Sequence, residues 1–600
     1  MALPFDNSRR LIGANLFFAT TGAVLELEGI APESELLQAW HTRVAAVRSR
    51  LGWDGPRAVA RVHRRGASLA LPAPVDQLFV ATEVNEWALC ASLLERDPQR
   101  WRGLQEALIA AAVEAAESHG AVIPPVLEES AALLRFERLA ALEVRPRLTA
   151  LLDAATDRKL LYTVDDEILT LGGGEAGRDF PLGELPSMAG VPWNQLRTVP
   201  TAVVTGSNGK TTTVRLLARC ARAAGFKSAY SSTDGVFLDD ELLDTGDYSG
   251  PAGARMVVRE RRAQTAILET ARGGILRRGI AVSRAKVAVV TNVSSDHFGE
   301  YGIDDLEGLV DVKLSVAAIV PSDGLLVLNA DDALLRAKAH GLALRWSRCP
   351  PLGWFSLDAL SAPLTEHHAR GGATCGVNDG HLQLTYEGIE TDLGGIASMP
   401  LTVDGHATYN IANLAAAALA AAALGIAPEV IARVFATFGA DPADNVGRMM
   451  CYEYHGARVV VDYAHNSEGL RGLLTVAEHL RRAGTQSPVG RLGLLLGHAG
   501  NRRDEEIRDL AAVAAQFRPD LIVVKENEAF LRGREPGEIP RILREALLQS
   551  GMAESSLRLR MNEMEAALSA IEWAQPGDVL ALPIHSSQAR ATILAILANG

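Results

Sequence analysis

Cysteine is scarce in this chain, and the few cysteines are scattered. The 600 residues contain Cys90, Cys220, Cys349, Cys375 and Cys451, and no two of them form a CxxC pair. Closely spaced or paired cysteines are what a disulfide framework or a structural zinc site requires. Their absence argues against a disulfide-rich secreted domain and against a zinc ribbon. It fits a reducing compartment, so we expect a cytoplasmic protein.

An excess of basic residues and a long apolar run are also missing. The formal net charge is −13, which disfavours binding to a nucleic-acid polyanion. The most apolar stretch, residues 411–426, is too short to span a membrane and is rich in alanine, so we predict a buried helix there. The N-terminal residues lack the apolar core of a signal peptide. We therefore expect neither nucleic acid nor a membrane as a partner.

The sequence does contain a repeated strand-then-helix pattern. Between residues 196 and 445, runs such as TAVVTG, TAILET and KVAVVTNV are apolar throughout, as strands covered on both faces of a parallel sheet require. Residues 341–400 are less regular, and we expect a small antiparallel excursion there. The pattern restarts in residues 446–600 with ARVVVDYAH and DLIVVKENE. Residues 1–195 mix strand-like runs with alanine-rich helices and show no catalytic constellation, which favours a docking or substrate-positioning domain.

The predicted fold class is therefore α/β with three domains. They are an N-terminal α+β domain (1–195), a central P-loop domain with a doubly wound parallel sheet (196–445), and a C-terminal Rossmann-like α/β domain (446–600).

The stretch TAVVTGSNGKTTT (201–213) has the order of a strand, a glycine turn and a helix start. The glycines permit a tight turn whose amides approach a phosphate, and the helix N-terminus favours an anion. The lysine can reach the terminal phosphates, and the following threonine can bind Mg²⁺ through its hydroxyl. The strict P-loop pattern requires a further glycine at position 204, where this sequence has Val204. We expect an ATP site formed by Gly206, Ser207, Asn208, Gly209, Lys210, Thr211 and Thr212.

This variant loop, and the motifs that follow it in order, resemble the Mur ligase superfamily. In that family a Glu and a His after later strands hold Mg²⁺, and they correspond to Glu269 in TAILET and His297 in TNVSSDHFGEYG. A carboxylate at the end of a parallel strand suits a hard cation, whereas the role of His297 rests on the resemblance. Taken singly, either residue is more often a structural polar group.

The resemblance extends to both sides of the expected nucleotide. It implies a carbamylated lysine at Lys313 in LVDVKLSV, although a solvated helix lysine is the alternative. VLNADD matches a family motif with Asn329 and Asp332, TYNIAN matches an Asn-x-x-Asn motif, and Gly447-Arg448 and DYAHN open the last domain. The implied nucleotide-binding residues are Asn329, Asn410, Asn413, Arg448 and Asp462. Catalysis would then rest on Lys210, Glu269, His297 and Lys313, with Thr211, Glu269 and His297 as the metal ligands.

Several longer phrases resemble one branch of this family more closely. ETARGGILRRG (269–279), TDGVF (233–237), HAGNRRDEEI (498–507) and LRGREPGEI (531–539) are similar to the Mur-like module of cyanophycin synthetases, and SRRLIGANLFF is similar to their first domain. Those enzymes carry an ATP-grasp domain between the two parts, but here only residues 187–200 separate LGELP from the strand TAVVT. We therefore do not expect this chain to extend a peptide backbone by itself. A smaller departure is Asn501, where that branch usually has Asp.

The resemblance implies an ATP-dependent carboxylate–amine ligase. It would form an amide or isopeptide bond through an acyl phosphate, adding an amino acid to an acidic amino-acid or peptide acceptor. Arg272, Arg277 and Arg278 would bind substrate carboxylates or face solvent, and the charged residues near 525–534 would read the amine or form a solvated face. The tentative substrate residues are Asp234, Arg272, His465, Asn466, Lys525, Glu526, Arg532 and Arg534.

The sequence also fits two other functions. One is a ligase of the folylpolyglutamate synthase or peptidoglycan-precursor type, although residues 1–195 lack the glycine-rich turn expected of a UDP-sugar domain. The other is a non-catalytic nucleotide-binding partner of a separate ATP-grasp synthetase, which would predict loss of metal ligands, whereas Thr211, Glu269 and His297 are present. A separate ATP-grasp synthetase and a second copy of this chain are the further partners considered.

Overall fold

The computed structural model describes residues 2–116, 124–295, 298–346, 349–483, 490–526 and 528–599, without the side chains of residues 114–116 and 528. These residues form four separate sheets. None of the helices within the described ranges is both long enough and apolar enough to cross a membrane.

The N-terminal region contains two antiparallel sheets. The first has four strands in the order β1-β2-β4-β3, and its buried face packs on helices around the fully buried Trp40. The second has three strands, each antiparallel to its neighbour. The strands are β1 Phe5–Leu11, β2 Gly22–Glu28, β3 Val59–His63, β4 Gly66–Pro72, β5 Tyr162–Val164, β6 Ile168–Leu171 and β7 Arg178–Pro181. The helices are α1 Ser34–Leu51, α2 Leu78–Arg96, α3 Leu104–Ala116, α4 Glu129–Glu143 and α5 Pro146–Asp157.

The central region forms an 11-stranded sheet in the order β11-β10-β9-β12-β8-β13-β14-β15-β16-β17-β18. Its strands are β8 Thr201–Thr205, β9 Ser228–Ser232, β10 Gly235–Leu238, β11 Glu241–Thr245, β12 Thr265–Glu269, β13 Val287–Val290, β14 Leu325–Asn329, β15 Leu352–Ser356, β16 Ala373–Asn378, β17 His381–Tyr386 and β18 Ile389–Gly395. Its helices are α6 Lys210–Ala223, α7 Pro251–Arg259, α8 Arg272–Arg278, α9 Leu306–Lys313, α10 Ala333–Ala339, α11 Leu342–Trp346, α12 Ala362–Ala369, α13 Thr408–Ala423 and α14 Pro428–Phe435.

The middle of this sheet is parallel, from β9 to β16, and helices cover both faces. Antiparallel strands extend it at both ends, and β17 and β18, which follow β16, are the excursion expected in residues 341–400. The predicted buried helix is α13, whose alanine-rich surface lets it lie close to the sheet and to α6. The predicted doubly wound α/β fold is confirmed.

The C-terminal region is a second, mainly parallel sheet in the order β19-β20-β24-β21-β22-β23. Its strands are β19 Met450–Tyr454, β20 Ala457–Asp462, β21 Leu492–Leu496, β22 Leu521–Lys525, β23 Leu557–Arg560 and β24 Val579–Pro583. Its helices are α15 Ser467–Ala483, α16 Asp504–Gln516, α17 Glu538–Gln549, α18 Glu563–Trp573 and α19 Ser587–Ala598. Only β19 is antiparallel to its neighbour. The domain boundaries near residues 195 and 445 stay a prediction.

Replacing Leu419 by alanine tests the packing of α13. Leu419 is 0% exposed, whereas Leu344 is 92% exposed. We expect Leu419→Ala to lower the free energy of unfolding of its region by about 2–5 kcal/mol, because the deletion leaves a cavity in the core. Urea denaturation followed by circular dichroism measures the change. The matched Leu344→Ala change should leave the transition in place, and an equal loss in both variants would contradict the packing described here.

Candidate active site

A cavity of about 740 Å³ lies at the carboxyl ends of β8 and β12 and faces the C-terminal sheet. Both regions line it, as expected of a ligand site at the switch point of an open α/β sheet. The predicted residues that line it are Gly206, Ser207, Asn208, Gly209, Lys210, Thr211, Thr212, Glu269, Arg272, Lys313, Asn410, Asn413, Arg448, Asp462, His465, Lys525, Glu526 and Arg532. The predicted Asp234, Asn329, Asn466 and Arg534 are not among its lining residues. His297 lies outside the described residues.

The glycine loop after β8 has no room for side chains at its two glycines. A Cβ on Gly206 would lie 1.8 Å from the Oγ1 atom of Thr291, and one on Gly209 would lie 2.1 Å from the Oδ1 atom of Asn413. Gly209 also has a φ of 84°, which favours glycine. Lys210, the first residue of α6, donates hydrogen bonds from Nζ to the carbonyl oxygens of Gly206 and Ser207, at 3.2 and 3.0 Å. The side chain of Lys210 therefore lies against the loop. Its ammonium group is next to the position where the loop would bind a phosphate.

The carboxylate of Glu269 is buried next to this loop. The Thr211 hydroxyl donates to Oε2 of Glu269 at 2.8 Å, while Oε1 is buried without a hydrogen-bond partner among the described residues. Burial raises the pKa of Glu269, an effect that the charge of Lys210 partly offsets. An unpartnered buried carboxylate oxygen is costly. A hard cation such as Mg²⁺ would satisfy it, so Thr211 and Glu269 fit the predicted metal.

Of the three predicted metal ligands, Thr211 and Glu269 lie within the described residues and His297 does not. In the part of the chain that the structure describes, no three His, Cys, Asp or Glu side chains are grouped as a metal site. Mg²⁺ usually keeps several waters and takes only one or two carboxylates, so a small ligand set does not conflict with it. Lys313 is only 2% exposed at the end of α9 and lines the cavity, which rules out the solvated lysine considered as its alternative. Its carbamylation stays a prediction.

Asn208 joins the loop to two other parts of the chain. Its backbone amide donates to Oδ1 of Asn292 at 2.9 Å, beyond β13. Its side chain accepts from Nδ2 of Asn466 at 2.9 Å and donates to Oε2 of Glu468 at 3.0 Å. Asn466 and Glu468 belong to the C-terminal region. Asn466, predicted as a substrate residue, therefore holds the phosphate loop.

The predicted asparagines divide into two groups. Asn410 and Asn413 line the cavity at the start of α13, where Nδ2 of Asn413 donates to Oδ1 of Asn410 at 3.1 Å. Asn329, in contrast, donates to the backbone oxygen of Thr291 at 3.0 Å, and Asp332 caps α10. Thr291 in turn donates from Oγ1 to the backbone oxygen of Asn208 at 2.5 Å. Asn329 therefore supports the phosphate loop indirectly, through Thr291.

Arg448 and Asp462 lie on the C-terminal side of the cavity. Arg448 donates to Oγ1 of Thr233 at 3.3 Å, and its guanidinium carbon lies 4.3 Å from the ring centre of Tyr463. Asp462 accepts from the backbone amides of Met449 and Ala464 at 2.7 and 2.8 Å. Burial raises the pKa of Asp462, against the opposing effect of Arg448. The hydrogen bonds of Asp462 hold the backbone after Arg448 and at the start of DYAHN.

Asp234, predicted as a substrate residue, belongs to an ion-pair cluster. It lies 2.9 Å from Arg215 on α6, 2.8 Å from Arg590 on α19 and 3.8 Å from Arg448. Burial alone would raise the pKa of Asp234, but these three arginines hold it below its usual value. The cluster joins the central region to the C-terminal region. The carboxylate of Asp234 is already paired with cationic side chains of the protein.

Arg272 forms another connection between these regions. It is 7% exposed, so it does not face solvent, and it pairs with Oε2 of Glu300 at 2.5 Å. The other oxygen of Glu300 accepts from Nδ2 of Asn501 at 3.1 Å. Arg277 and Arg278 line the same part of the cavity but are exposed. Positive charge on this wall suits an acidic substrate.

The wall near β22 carries a buried ion pair. Lys525 donates to Glu563 and, at 2.6 Å, to the backbone oxygen of Pro583. Burial lowers the pKa of Lys525, and Glu563 opposes that effect. Glu526 accepts from the amide of Gly537 with both carboxylate oxygens, at 3.1 and 2.9 Å. Both predicted residues line the cavity, but each already has a protein partner.

The remaining predicted substrate residues differ in position. His465 and the exposed Arg532 line the cavity. Arg534 instead pairs with Asp504 at 2.8 Å and with Glu538 at 2.6 Å, and it donates to the backbone oxygens of Gly500 and Arg502. Its charge is neutralised within the C-terminal region, so it fixes the loop that carries Asn501.

Among the residues at or near the site that sequence reasoning missed, four carry side chains that bridge separate segments. In the sequence, Glu300 stands three residues after the predicted His297, and Glu468 follows DYAHN, so proximity to a motif was a signal for both. Glu563 starts α18, and Arg590 lies on the last helix; neither belongs to a recognised motif.

Comparison with known proteins gives the family. The Mur ligase middle domain matches residues 204–351, and the Mur ligase glutamate ligase domain matches residues 447–582. A UDP-N-acetylmuramoyl-L-alanyl-D-glutamate–2,6-diaminopimelate ligase of Xanthomonas campestris is 31% identical over 386 residues, which cover 63% of this chain and 70% of that protein. The chain belongs to the Mur ligase family.

Cyanophycin synthetases are also among its relatives. That of a Synechocystis species is 34% identical over 395 residues, which cover 65% of this chain and 43% of that protein. That of a Nostoc species is 32% identical over 400 residues, which cover 67% and 42%. The chain thus spans less than half the length of these relatives, and the predicted resemblance to them is confirmed.

Replacing Glu269 by glutamine should have opposite effects on this Mur ligase with and without nucleotide. A raised pKa means that the folded state holds the proton more tightly than the unfolded state, so ionisation costs stability as the pH rises above about 4.3. Without nucleotide at pH 8, we expect Glu269→Gln to raise the melting temperature. The further rise that Mg²⁺ and ATP give the wild type should be lost. Differential scanning fluorimetry measures both effects.

The exposed Glu572 on α18 offers a matched control. Glu572→Gln should change neither melting temperature. A Glu269→Gln protein that kept the full stabilisation by Mg²⁺ and ATP would contradict the assignment of Glu269 to the metal.

Replacing Asp234 by asparagine should loosen the contact between the two regions. It leaves Arg215, Arg448 and Arg590 without their shared carboxylate, and breaking a buried pair costs about 3–5 kcal/mol. We expect a lower denaturation midpoint and a larger radius of gyration by small-angle X-ray scattering. Asp240→Asn, which removes the exposed pair with Arg222, should change neither. Unchanged values in Asp234→Asn would show that the cluster does not hold the regions together.

Proposed function

We propose that this chain is an ATP-dependent carboxylate–amine ligase that adds an amino acid to an acidic amino-acid or peptide acceptor. The observation that carries the proposal is the buried pair of Thr211 and Glu269 beside Lys210, in a cavity lined by the central and C-terminal regions. A phosphate loop alone fits any nucleotide-binding protein. A second wall that carries its own charged groups provides room for an acceptor and an amine. The names of the relatives support the same class of reaction.

The nucleotide would bind with its phosphates on the loop from Gly206 to Gly209. The amides at the start of α6 and the ammonium group of Lys210 would hold them. Thr211 and Glu269 are the residues that would hold Mg²⁺, because Oε1 of Glu269 has no hydrogen-bond partner among the described residues. Mg²⁺, when bound, neutralises negative charge on the phosphate oxygens. A metal at His297 and a carbamylated Lys313 stay predictions of the family resemblance.

The reaction proceeds in two steps. An acceptor carboxylate oxygen attacks the γ-phosphorus, the bond from phosphorus to the ADP oxygen breaks, and an acyl phosphate forms. The uncharged amine then attacks the acyl carbon, the bond to the phosphate oxygen breaks, and the amine proton passes to water or a base. Lys210 donates hydrogen bonds to phosphate oxygens throughout. The protein contributes mainly by positioning the groups and by compensating charge.

The two walls suggest where the substrates bind. Arg272, Arg277 and Arg278 give the central wall its positive charge, and we assign the acceptor carboxylate to that wall. The side near β22 carries the carboxylate of Glu526, which accepts from the neutral backbone amide of Gly537, and we assign the incoming amine to that side. A separate ATP-grasp synthetase and a second copy of the chain stay predicted partners.

A peptidoglycan-precursor ligase is the second candidate, because a relative with such a name is 31% identical over 70% of its length. Against it, the sheet β1-β2-β4-β3 is antiparallel, so it does not provide the carboxyl ends of parallel strands at which α/β sheets bind nucleotides. Phosphate release with aspartyl and glutamyl peptides, folates and UDP-linked acceptors, each with a panel of amino acids, separates these functions. Absence of ATP turnover with every pair would refute the ligase proposal.

Replacing Lys210 by alanine tests the assignment of the phosphate loop. Removing one hydrogen-bond donor to developing charge typically lowers kcat by a factor of about 100 to 1,000. We expect a loss of that order in phosphate release, because no other residue of the loop carries a positive charge. Lys227→Ala, at an exposed site, should keep full turnover. Full turnover in Lys210→Ala would refute the assignment.

A further inference from the structure

The N-terminal region contacts the segments that carry cavity residues, although none of its described residues is among those lining the cavity. The chain after β1 meets the end of α8 through backbone hydrogen bonds. The amide of Ile12 donates to the oxygen of Arg278, and the amide of Ile280 donates to the oxygen of Ala14, each at 2.8 Å. These bonds attach the helix that begins with Arg272 to the N-terminal sheet.

Arg9 of β1 connects α8 with the turn that contains Glu300. Its Nε atom donates to the oxygen of Leu276 at 2.9 Å, and its guanidinium carbon lies 4.5 Å from the ring centre of Tyr301. The same guanidinium group pairs with the buried Glu26 at 2.6 Å. Because Glu26 belongs to β2, Arg9 is fixed from within its own sheet while it contacts both segments.

The edge strand β3 contacts the same turn. Arg61 donates to the backbone oxygen of Gly302 at 2.6 Å, and just beyond the strand and the turn the amide of Arg64 donates to Asp304 at 3.3 Å. Gly302 has a φ of 67°, and a Cβ there would lie 2.4 Å from the ring of His63. The turn from Glu300 to Ile303 therefore fits closely against β3.

Glu300 is the side chain that this turn presents to the cavity. One of its oxygens pairs with Arg272 of the central wall, and the other accepts from Asn501 of the C-terminal region. A shift of the turn would move both contacts. It would not move the phosphate loop in the same way, because that loop is held by Asn292 and Asn466.

We propose that the N-terminal region positions the substrate walls of the active site. Arg9 and Arg61 fix the Glu300 turn, and Glu300 fixes Arg272 against Asn501. Arg61 is a positioning residue in this scheme, since it is not among the residues that line the cavity. The inference rests on the proposed ligase function, and it assigns the N-terminal region to acceptor and amine binding rather than to ATP binding.

Arg61→Ala tests the proposal, with Arg50→Ala as the matched control. Arg50 lies on α1 of the same region and forms an exposed pair with Glu137 at 2.6 Å. Loss of a hydrogen bond from a charged group costs enough to change binding by about tenfold. We expect Arg61→Ala to raise KM for the acceptor or the amine by about that factor and to leave KM for ATP unchanged. Arg50→Ala should match the wild type.

A second pair of variants separates positioning from general destabilisation. If Arg61 acts through Glu300, Arg61→Ala should change KM little further once Glu300→Gln is present. Equal increases in KM for ATP and for the other substrates would overturn the proposal. Fully additive effects of Arg61→Ala and Glu300→Gln would overturn it as well.

Hydrogen–deuterium exchange provides a readout that needs no turnover. We expect faster exchange in residues 298–305 of Arg61→Ala than in the wild type or in Arg50→Ala. Unchanged exchange there would overturn the inference even if the enzyme is active. A wild-type protein without ligase activity would refute the proposed function, and faster exchange in Arg61→Ala would still support the structural link between the N-terminal region and the turn.

Discussion

The buried carboxylate of Glu269 is the constraint on which the arrangement of the site depends. β12 pairs in parallel with β8, and Glu269 lies opposite Val204, so the carboxylate is placed where the phosphate loop begins. Burial without a full set of partners is unfavourable for a charge. The free-energy cost of burying Glu269 is reduced because Thr211 donates a hydrogen bond to one carboxylate oxygen and Lys210 supplies nearby positive charge. The same cost makes the site receptive to a cation and a phosphate.

The phosphate loop depends on the C-terminal region as well as on its own sheet. Asn208 is held on one side by Asn292 and on the other by Asn466 and Glu468. Asp234 and Glu300 also each join the same two regions. Contacts of this kind tie the geometry of the nucleotide site to the relative position of the two sheets. A movement between the regions would therefore change the phosphate loop and the substrate walls together.

The sequence allowed the strands and the phosphate loop to be predicted, because both depend on local patterns. Runs such as TAVVT and TAILE are buried on both faces, and the functional side chains follow directly where those strands end. Pairing between distant segments could not be read in this way. Asp234 and Arg534 looked available for substrate, but each meets oppositely charged residues that only the fold brings near. The type of a residue shows which hydrogen bonds and ion pairs it can form, but it does not show which residue will be its partner.

Asn501 has such a partner at a position where the family resemblance led us to expect aspartate. Its Nδ2 atom lies 3.1 Å from a carboxylate oxygen of Glu300. An aspartate at position 501 would bring two carboxylates together there, and the like charges would repel each other. An asparagine of nearly the same shape donates a hydrogen bond instead, which leaves the other Glu300 oxygen to pair with Arg272. The neutral residue at position 501 therefore suits a chain in which Glu300 connects the two walls.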